Sequence, residues 1–170
     1  MEFSPRTPWL KTETLPFLPA PVHRSYELID GLPVLPVVRV EEAIAEKLAR
    51  YARVGLARDL YDLVWYGRQG TLDEALIRRL WVLKVYQDVV VDGRWSSRSF
   101  DPTAILAPRM PSQIDDENIG YLTQPVDLVG WEREYRRRYR FLSDLTAEDT
   151  TWTSCNAGRR YEFSQTVLAF

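Results

Sequence analysis

The sequence predicts an α+β chain that is predominantly helical. Seven of its eleven prolines lie within residues 1–36, where they exclude helix and leave short extended pieces joined by loops. After residue 40, apolar residues recur at helical spacing. We expect a single domain over residues 1–170. It would comprise an extended segment with strands (1–40), a helical motif region (41–92) and a region of loops and C-terminal helices (93–170).

The first half of the chain predicts one strand and two helices around a tight turn. The best strand candidate is the β-branched run at residues 37–40. Acidic residues at the start of the next segment suit a helix N-terminus, so a helix is predicted over 41–54, ended by Gly55. A second helix is predicted over 56–66, stopping at Gly67.

The second half predicts further helices separated by loops. The sequence at 71–74 has a capping-box pattern, and the helix it opens reaches a β-branched end before Gly93. Asp-Pro at 101–102 marks a short helix inside a loop-rich stretch. A long helix is predicted over 127–145, and one more short helix over 146–156.

Lys47 has an unusual position on the first of these helices. At 100° per residue it falls inside the apolar stripe, beside Ile44 and Tyr51. A lysine there is costly to bury unless an anionic group meets it. The alternative is a lysine whose stem packs while its amine reaches water. The stripe comprises Val40, Ile44, Leu48 and Tyr51, and the opposite face Glu42, Glu46, Ala49 and Arg53.

Two aspartates on the second helix are predicted to face different ways. Asp59 lies at the margin of the buried stripe, whereas Asp62 points away from it, four residues after Arg58, where a helical ion pair forms easily. If the helices form a hairpin about Gly55, Asp59 faces Lys47. That pair is either part of a site or a partly buried salt bridge that fixes the hairpin.

Two motifs carry a resemblance to a known family. Glu-Glu-Ala-Ile-Ala-Glu-Lys-Leu at 41–48, followed by Ala-Arg-Asp-Leu-Tyr-Asp-Leu at 57–63, resembles the AbiEii/AbiGii nucleotidyltransferase toxins of the DNA polymerase β-like superfamily. The resemblance implies the C-terminal helical part of that fold with remnant sheet strands. It implies that Lys47 and Asp59 are catalytic, and that Lys47 contacts a nucleoside triphosphate used with Mg²⁺. It also implies a cognate antitoxin as a partner, with transfer RNA as a candidate acceptor.

The family's metal motif is missing from these residues. A Gly-Ser turn followed by Asp-x-Asp comes first in the family, and neither pattern occurs here. Residues 1–3 resemble the end of a later acidic strand, so Glu2 is a candidate metal ligand; the alternative is a surface residue at the terminus. Nucleotidyl transfer needs metal-binding carboxylates. We therefore expect a truncated chain, inactive alone, with the motif upstream of Met1 or on another chain.

Composition narrows the location and the partners. One cysteine excludes an internal disulfide and fits the cytoplasm. No apolar run is long enough for a membrane span, and the first residues do not resemble a secretory signal. The net charge of −2 is too mild for a nucleic-acid coat. Five arginines fall within 133–140, but tyrosines at i and i+4 favour an amphipathic helix with solvated arginines over an RNA-facing one.

The predicted function follows from the resemblance. We expect a toxin-like nucleotidyltransferase that moves a nucleotide from a nucleoside triphosphate to an RNA end or a protein hydroxyl. Whether this chain is an enzyme by itself is left open by the missing motif. The alternative is a non-catalytic helical module that binds RNA or a partner protein.

Overall fold

A computed structural model describes residues 7–16, 33–94, 100–115 and 125–170. Helices pack around one buried cluster, and a two-stranded antiparallel sheet lies at the surface, which confirms the α+β, predominantly helical prediction. None of the described helices is long and apolar enough to cross a membrane. The strands are β1 (Glu13–Pro16) and β2 (Val34–Val37), and the helices are α1 (Val40–Val54), α2 (Ala57–Arg68), α3 (Glu74–Tyr86), α4 (Leu128–Arg138), α5 (Ala147–Thr153) and α6 (Arg160–Leu168).

The strand prediction was displaced by three residues. β2 ends at Val37 and pairs with β1 in a register that sets Thr14 opposite Pro36, and both strands are exposed. Proline lacks an N–H donor, but a two-stranded sheet offers each strand an unpaired edge where that loss is tolerated. Helix α1 then begins at Val40, because Arg39 is the last residue with extended backbone angles.

Helices α1 and α2 form the predicted hairpin, and Gly55 makes its turn. Gly55 has a φ of +73°, a left-handed conformation that glycine adopts without strain. A Cβ at this position would also lie 2.6 Å from Arg109 Nη1. Arg109 donates hydrogen bonds to the carbonyl oxygens of Tyr51 and Ala52, which closes the C-terminus of α1. Gly67, predicted to stop α2, lies inside that helix, which ends at Arg68.

Helix α1 is buried on two sides, which the sequence pattern did not predict. It packs against α2 on one side and α3 on the other. As a result Glu42 and Ala49, on the face opposite the predicted apolar stripe, are each only 2% exposed. Helix α3 is the central apolar helix and continues into a π-helical turn at Gln87–Val91.

The tyrosines of α4 belong to the core, as predicted. Tyr135 and Tyr139 are fully buried, and their hydroxyls donate to the carbonyl oxygens of Ile105 and Leu63. Burial raises the pKa of both phenols, so they remain neutral donors. The predicted helix over 127–145 is shorter: α4 ends at Arg138, and a 3₁₀ turn follows at Arg140–Ser143. Helix α6 was not predicted.

Candidate functional site

Lys47 lies at the centre of a polar contact between α1 and α2. Its Nζ is 2.5 Å from Asp62 Oδ2 and 3.8 Å from Asp59 Oδ1. The side chain of Lys47 is 20% exposed, that of Asp62 is 40% exposed and that of Asp59 is fully buried. The hairpin therefore brings Lys47 and Asp59 to the same place, as the helical spacing predicts.

The prediction that Asp62 points away from Lys47 was wrong. Asp62 is the nearer of the two carboxylates and accepts a hydrogen bond from Lys47 Nζ. Residues three apart on a helix differ by only 60° in direction, so Asp59 and Asp62 share a face. A long lysine side chain on the facing helix can reach both of them.

Arg50 completes this contact and was not predicted as a site residue. It donates to both carboxylate oxygens of Asp59: Nε lies 2.7 Å from Oδ2, and Nη2 contacts Oδ1. Such a two-pronged bond fixes the carboxylate in direction as well as in charge. Asp59 also lies in the first turn of α2, where the helix dipole favours a carboxylate. Arg50 follows Lys47 by three residues, a spacing that could have indicated a shared face.

An open cavity of about 270 Å³ adjoins these residues. Three cations reach it, namely Lys47, Arg50 and Lys84, together with the carboxylates of Glu42 and Glu46. The remaining lining residues are Thr7, Pro8, Val38 and Ala43. A mixture of cations and carboxylates around an open cavity can bind a charged ligand by exchanging internal ion pairs for contacts with that ligand.

Lys84 holds the far wall of this cavity in place. Its Nζ lies 2.7 Å from Glu42 Oε1, 3.3 Å from Glu46 Oε2 and 3.9 Å from the centre of the Trp9 ring. Glu42 in turn accepts hydrogen bonds from the backbone N–H groups of Trp9 and Leu10. The buried pair thus ties the segment before β1 to α1 and α3. No sequence pattern indicated this role, because Lys84 lies among apolar residues of α3.

The described residues do not form a seat for Mg²⁺. No group of three potential metal ligands occurs within the described ranges. The two aspartates near the cavity face Lys47 and Arg50, so cations already occupy the directions from which a metal would approach. Glu2, the candidate metal ligand, lies outside the described residues. Cys155 offers no substitute nucleophile, because burial raises the pKa of its thiol to about 11.

Comparison with known proteins assigns the family. Residues 1–159 match the model of the nucleotidyl transferase AbiEii toxins of type IV toxin–antitoxin systems. Among solved structures the chain is similar to MenT4, a nucleotidyltransferase toxin from Mycobacterium tuberculosis H37Rv, with 46% identity and a TM-score of 0.87. The match covers 99% of this chain and 56% of that one, so the chain spans little more than half the length of MenT4. No curated protein matches. The chain belongs to the AbiEii nucleotidyltransferase toxin family, as its motifs predicted.

Proposed function

We propose that this chain supplies the triphosphate-contacting helices of a nucleotidyltransferase toxin that transfers a nucleotide to an RNA end or a protein hydroxyl. The observation that carries the proposal is Lys47, held between two carboxylates at the edge of a cavity that Arg50 also lines. The family membership supports a nucleoside triphosphate as the donor. Family membership also supports a cognate antitoxin as a partner. It supports the cytoplasm as the location, because nucleoside triphosphates are available there.

Lys47 is the residue we assign to the triphosphate. Its ammonium keeps some exposure, and its nearest partner is the more exposed aspartate. When a phosphate approaches, Asp62 can turn into water and release the ammonium at a small cost, on the order of 1 kcal/mol, because this ion pair is only half-buried. Phosphate oxygens then take the place of the carboxylate as acceptors.

Asp59 acts in this proposal as a positioning residue. It is fully buried and bonded twice to Arg50, so its charge and direction are fixed before any ligand arrives. Its second neighbour is Lys47, at 3.8 Å, close enough to hold the ammonium near the cavity. Asp59 therefore holds both Lys47 and Arg50 beside the cavity.

The test is a titration of the 170-residue chain with each nucleoside triphosphate and Mg²⁺. We expect weak binding, with a Kd on the order of 1 mM, because the described residues contribute cations but no metal seat. Lys47→Ala should weaken binding about 5-fold, while Lys11→Ala, at an exposed position away from the cavity lining, should not change it.

The dependence of triphosphate binding on Lys47 separates the proposal from its alternative, since neither predicts transfer by this chain alone. With labelled nucleotides and bulk transfer RNA, we expect no transfer by these 170 residues alone, because they lack an Asp-x-Asp pair. The alternative function, a non-catalytic helical module that binds RNA or a partner protein, predicts that Lys47→Ala leaves triphosphate binding unchanged. That outcome would contradict the proposed role of Lys47.

A further inference from the structure

A second open cavity, of about 450 Å³, lies between the segment before β1 and the C-terminal end of the chain. Trp9, Phe170 and Gln87, the first residue of the π-helical turn, are among the residues that line it. Thr7 and Pro8 line this cavity as well as the candidate site, so the two cavities share one wall. The volume lies in the range of small-molecule sites, and the proposed function does not use it.

The lining of the second cavity is uncharged. Among the described residues, none of those that line it has a charged side chain, and Val167 and Leu168 of α6 complete the lining. The candidate site differs, because lysines, an arginine and glutamates line that cavity. A charged group that enters an uncharged cavity loses water without gaining a counter-charge. The second cavity therefore favours a neutral ligand over a nucleoside triphosphate.

Two aromatic rings give the second cavity a stacking surface. Trp9 and Phe170 are nearly parallel, with an angle of 15° between the ring planes and 6.5 Å between the ring centres. Each ring has a cation over one face. Lys84 Nζ lies 3.9 Å from the centre of the Trp9 ring, and the guanidinium carbon of Arg79 lies 5.3 Å from the centre of the Phe170 ring. These contacts hold the rings in one orientation, on which a planar aromatic molecule can stack.

Gln87 supplies a hydrogen-bond acceptor that the fold does not use. Its backbone N–H donates to the carbonyl oxygens of Leu83 and Lys84, but its side-chain Oε1 is buried and accepts no hydrogen bond from the described residues. A buried acceptor without a partner is unfavourable, so a ligand donor that reaches it gains affinity. Because Gln87 lines the cavity, rotation of its side chain brings Oε1 within reach of a ligand. π-Helical turns such as this one are frequent at functional sites.

We propose that the second cavity binds a small, neutral, planar aromatic molecule that carries an N–H or O–H donor. The molecule stacks along Trp9 and Phe170 and donates to Gln87 Oε1. An aromatic side chain of a partner protein has the same chemistry, but it would also bring peptide groups, for which this mostly apolar lining offers few partners. Three of the seven lining residues follow residue 159, where the family match ends, and the inference does not rest on the proposed function.

The experiment compares two bicyclic ligands by saturation-transfer NMR titration of the 170-residue chain. Indole carries one N–H donor, and indene has nearly the same shape without a donor or an acceptor. We expect indole to bind with a Kd on the order of 1 mM. Gln87→Leu removes the acceptor, so the ratio of the two Kd values should shift about 5-fold in favour of indene. Differences in the hydrophobicity of the two ligands cancel in this comparison.

The aromatic wall is tested at the C-terminal end. Phe170→Ala should weaken both ligands about 5-fold, because it removes one of the two rings. The matched control is Tyr161→Ala, which removes an aromatic ring of α6 that is 76% exposed and does not line the cavity. This control should change either Kd less than about 2-fold. Circular dichroism checks that each variant is folded.

Four outcomes would overturn the proposal. They are no saturable indole binding by the unmodified chain, an unchanged ratio of Kd values in Gln87→Leu, no loss in Phe170→Ala, and an equal loss in Tyr161→Ala. N-acetyltryptophanamide, which carries the indole between two peptide groups, should bind no more tightly than indole. Binding about 10-fold tighter than indole would instead assign the cavity to a side chain of a partner protein.

Discussion

Two ion-pair networks on helix α1 use the same chemical groups in different surroundings. The side chains of Lys84 and Glu42 are each 3% exposed, whereas those of Lys47 and Asp62 are 20% and 40% exposed. The buried pair of Lys84 and Glu42, here called the sealed network, cannot exchange partners without leaving a charge buried. The half-buried pair of Lys47 and Asp62, here called the open network, can return its carboxylate to water. The difference in exposure thus separates a network that holds the fold from one that is available to a ligand.

The network of Glu42 and Lys84 also makes more hydrogen bonds and ring contacts than the network of Lys47 and Asp62. Glu42 accepts two backbone N–H groups in addition to Lys84, and Lys84 lies over the Trp9 ring. These contacts bind the segment before β1 to the helices. Trp9 then packs against Phe163 of α6, so the same network connects the two ends of the described chain.

The largest expected effect is on stability, at Glu42. Glu42→Gln leaves Lys84 buried with only Glu46 as an anionic partner, and should lower the free energy of unfolding by about 3–5 kcal/mol. For a chain of this size we expect Tm to fall by about 10 °C. Glu46→Gln on the same helix is the control and should cost about 1 kcal/mol or less, because Glu46 is 40% exposed. Equal losses in chemical denaturation would remove the distinction between the networks.

Asp59→Asn should have an intermediate effect. The carboxylate is fully buried, but its partners Arg50 and Lys47 both reach water, so they can be resolvated. We expect a loss of about 1–3 kcal/mol in denaturant unfolding and weaker triphosphate binding. A loss as large as that of Glu42→Gln would mean that this site, too, is mainly structural.

Asp62→Asn should barely change stability and should strengthen triphosphate binding. Its ion pair with Lys47 is only half-buried and contributes on the order of 1 kcal/mol. Removing the competing carboxylate frees Lys47 for phosphate, so affinity should rise about 2–5-fold in the same titration. A fall in affinity would show that Asp62 assists the ligand rather than competes with it.

The sequence predicted what depends on local signals. Gly55 and the tyrosine spacing around α4 predicted the hairpin and part of the core. The capping pattern at 71–74 predicted a helix there, but α3 begins at Glu74 and Asp73 caps it, accepting from the N–H of Leu76. Lys47 and Asp59 came from motif spacing. Arg50 follows Lys47 at a spacing that indicates a shared face, but its partner Asp59 depends on the packing of α1 against α2. Lys84 could not be found in this way, since its partner depends on the packing of α1 against α3. The direction of Asp62 was wrong because a single-helix projection ignores the reach of a side chain on the neighbouring helix.

The smallest expected effect is the salt dependence of the coupling energy within each network. In double-mutant cycles, the coupling between Lys47 and Asp62 should fall by about half or more between 0.05 and 1 M NaCl, because exposed pairs are screened. The coupling between Lys84 and Glu42 should change little. Similar salt dependence in both cycles would show that water reaches the buried pair.

The most direct test of the central claim uses the three lysines of the chain, Lys11, Lys47 and Lys84. Lysine-selective labelling gives side-chain NMR signals for an exposed control, the open network and the sealed one in a single sample. On titration with a nucleoside triphosphate and Mg²⁺, we expect a saturable shift of the Lys47 signal, with Lys84 unchanged and Lys11 shifting no more than ionic strength requires. A Lys47 signal that moves only in parallel with Lys11 would contradict the assignment of Lys47 to the triphosphate.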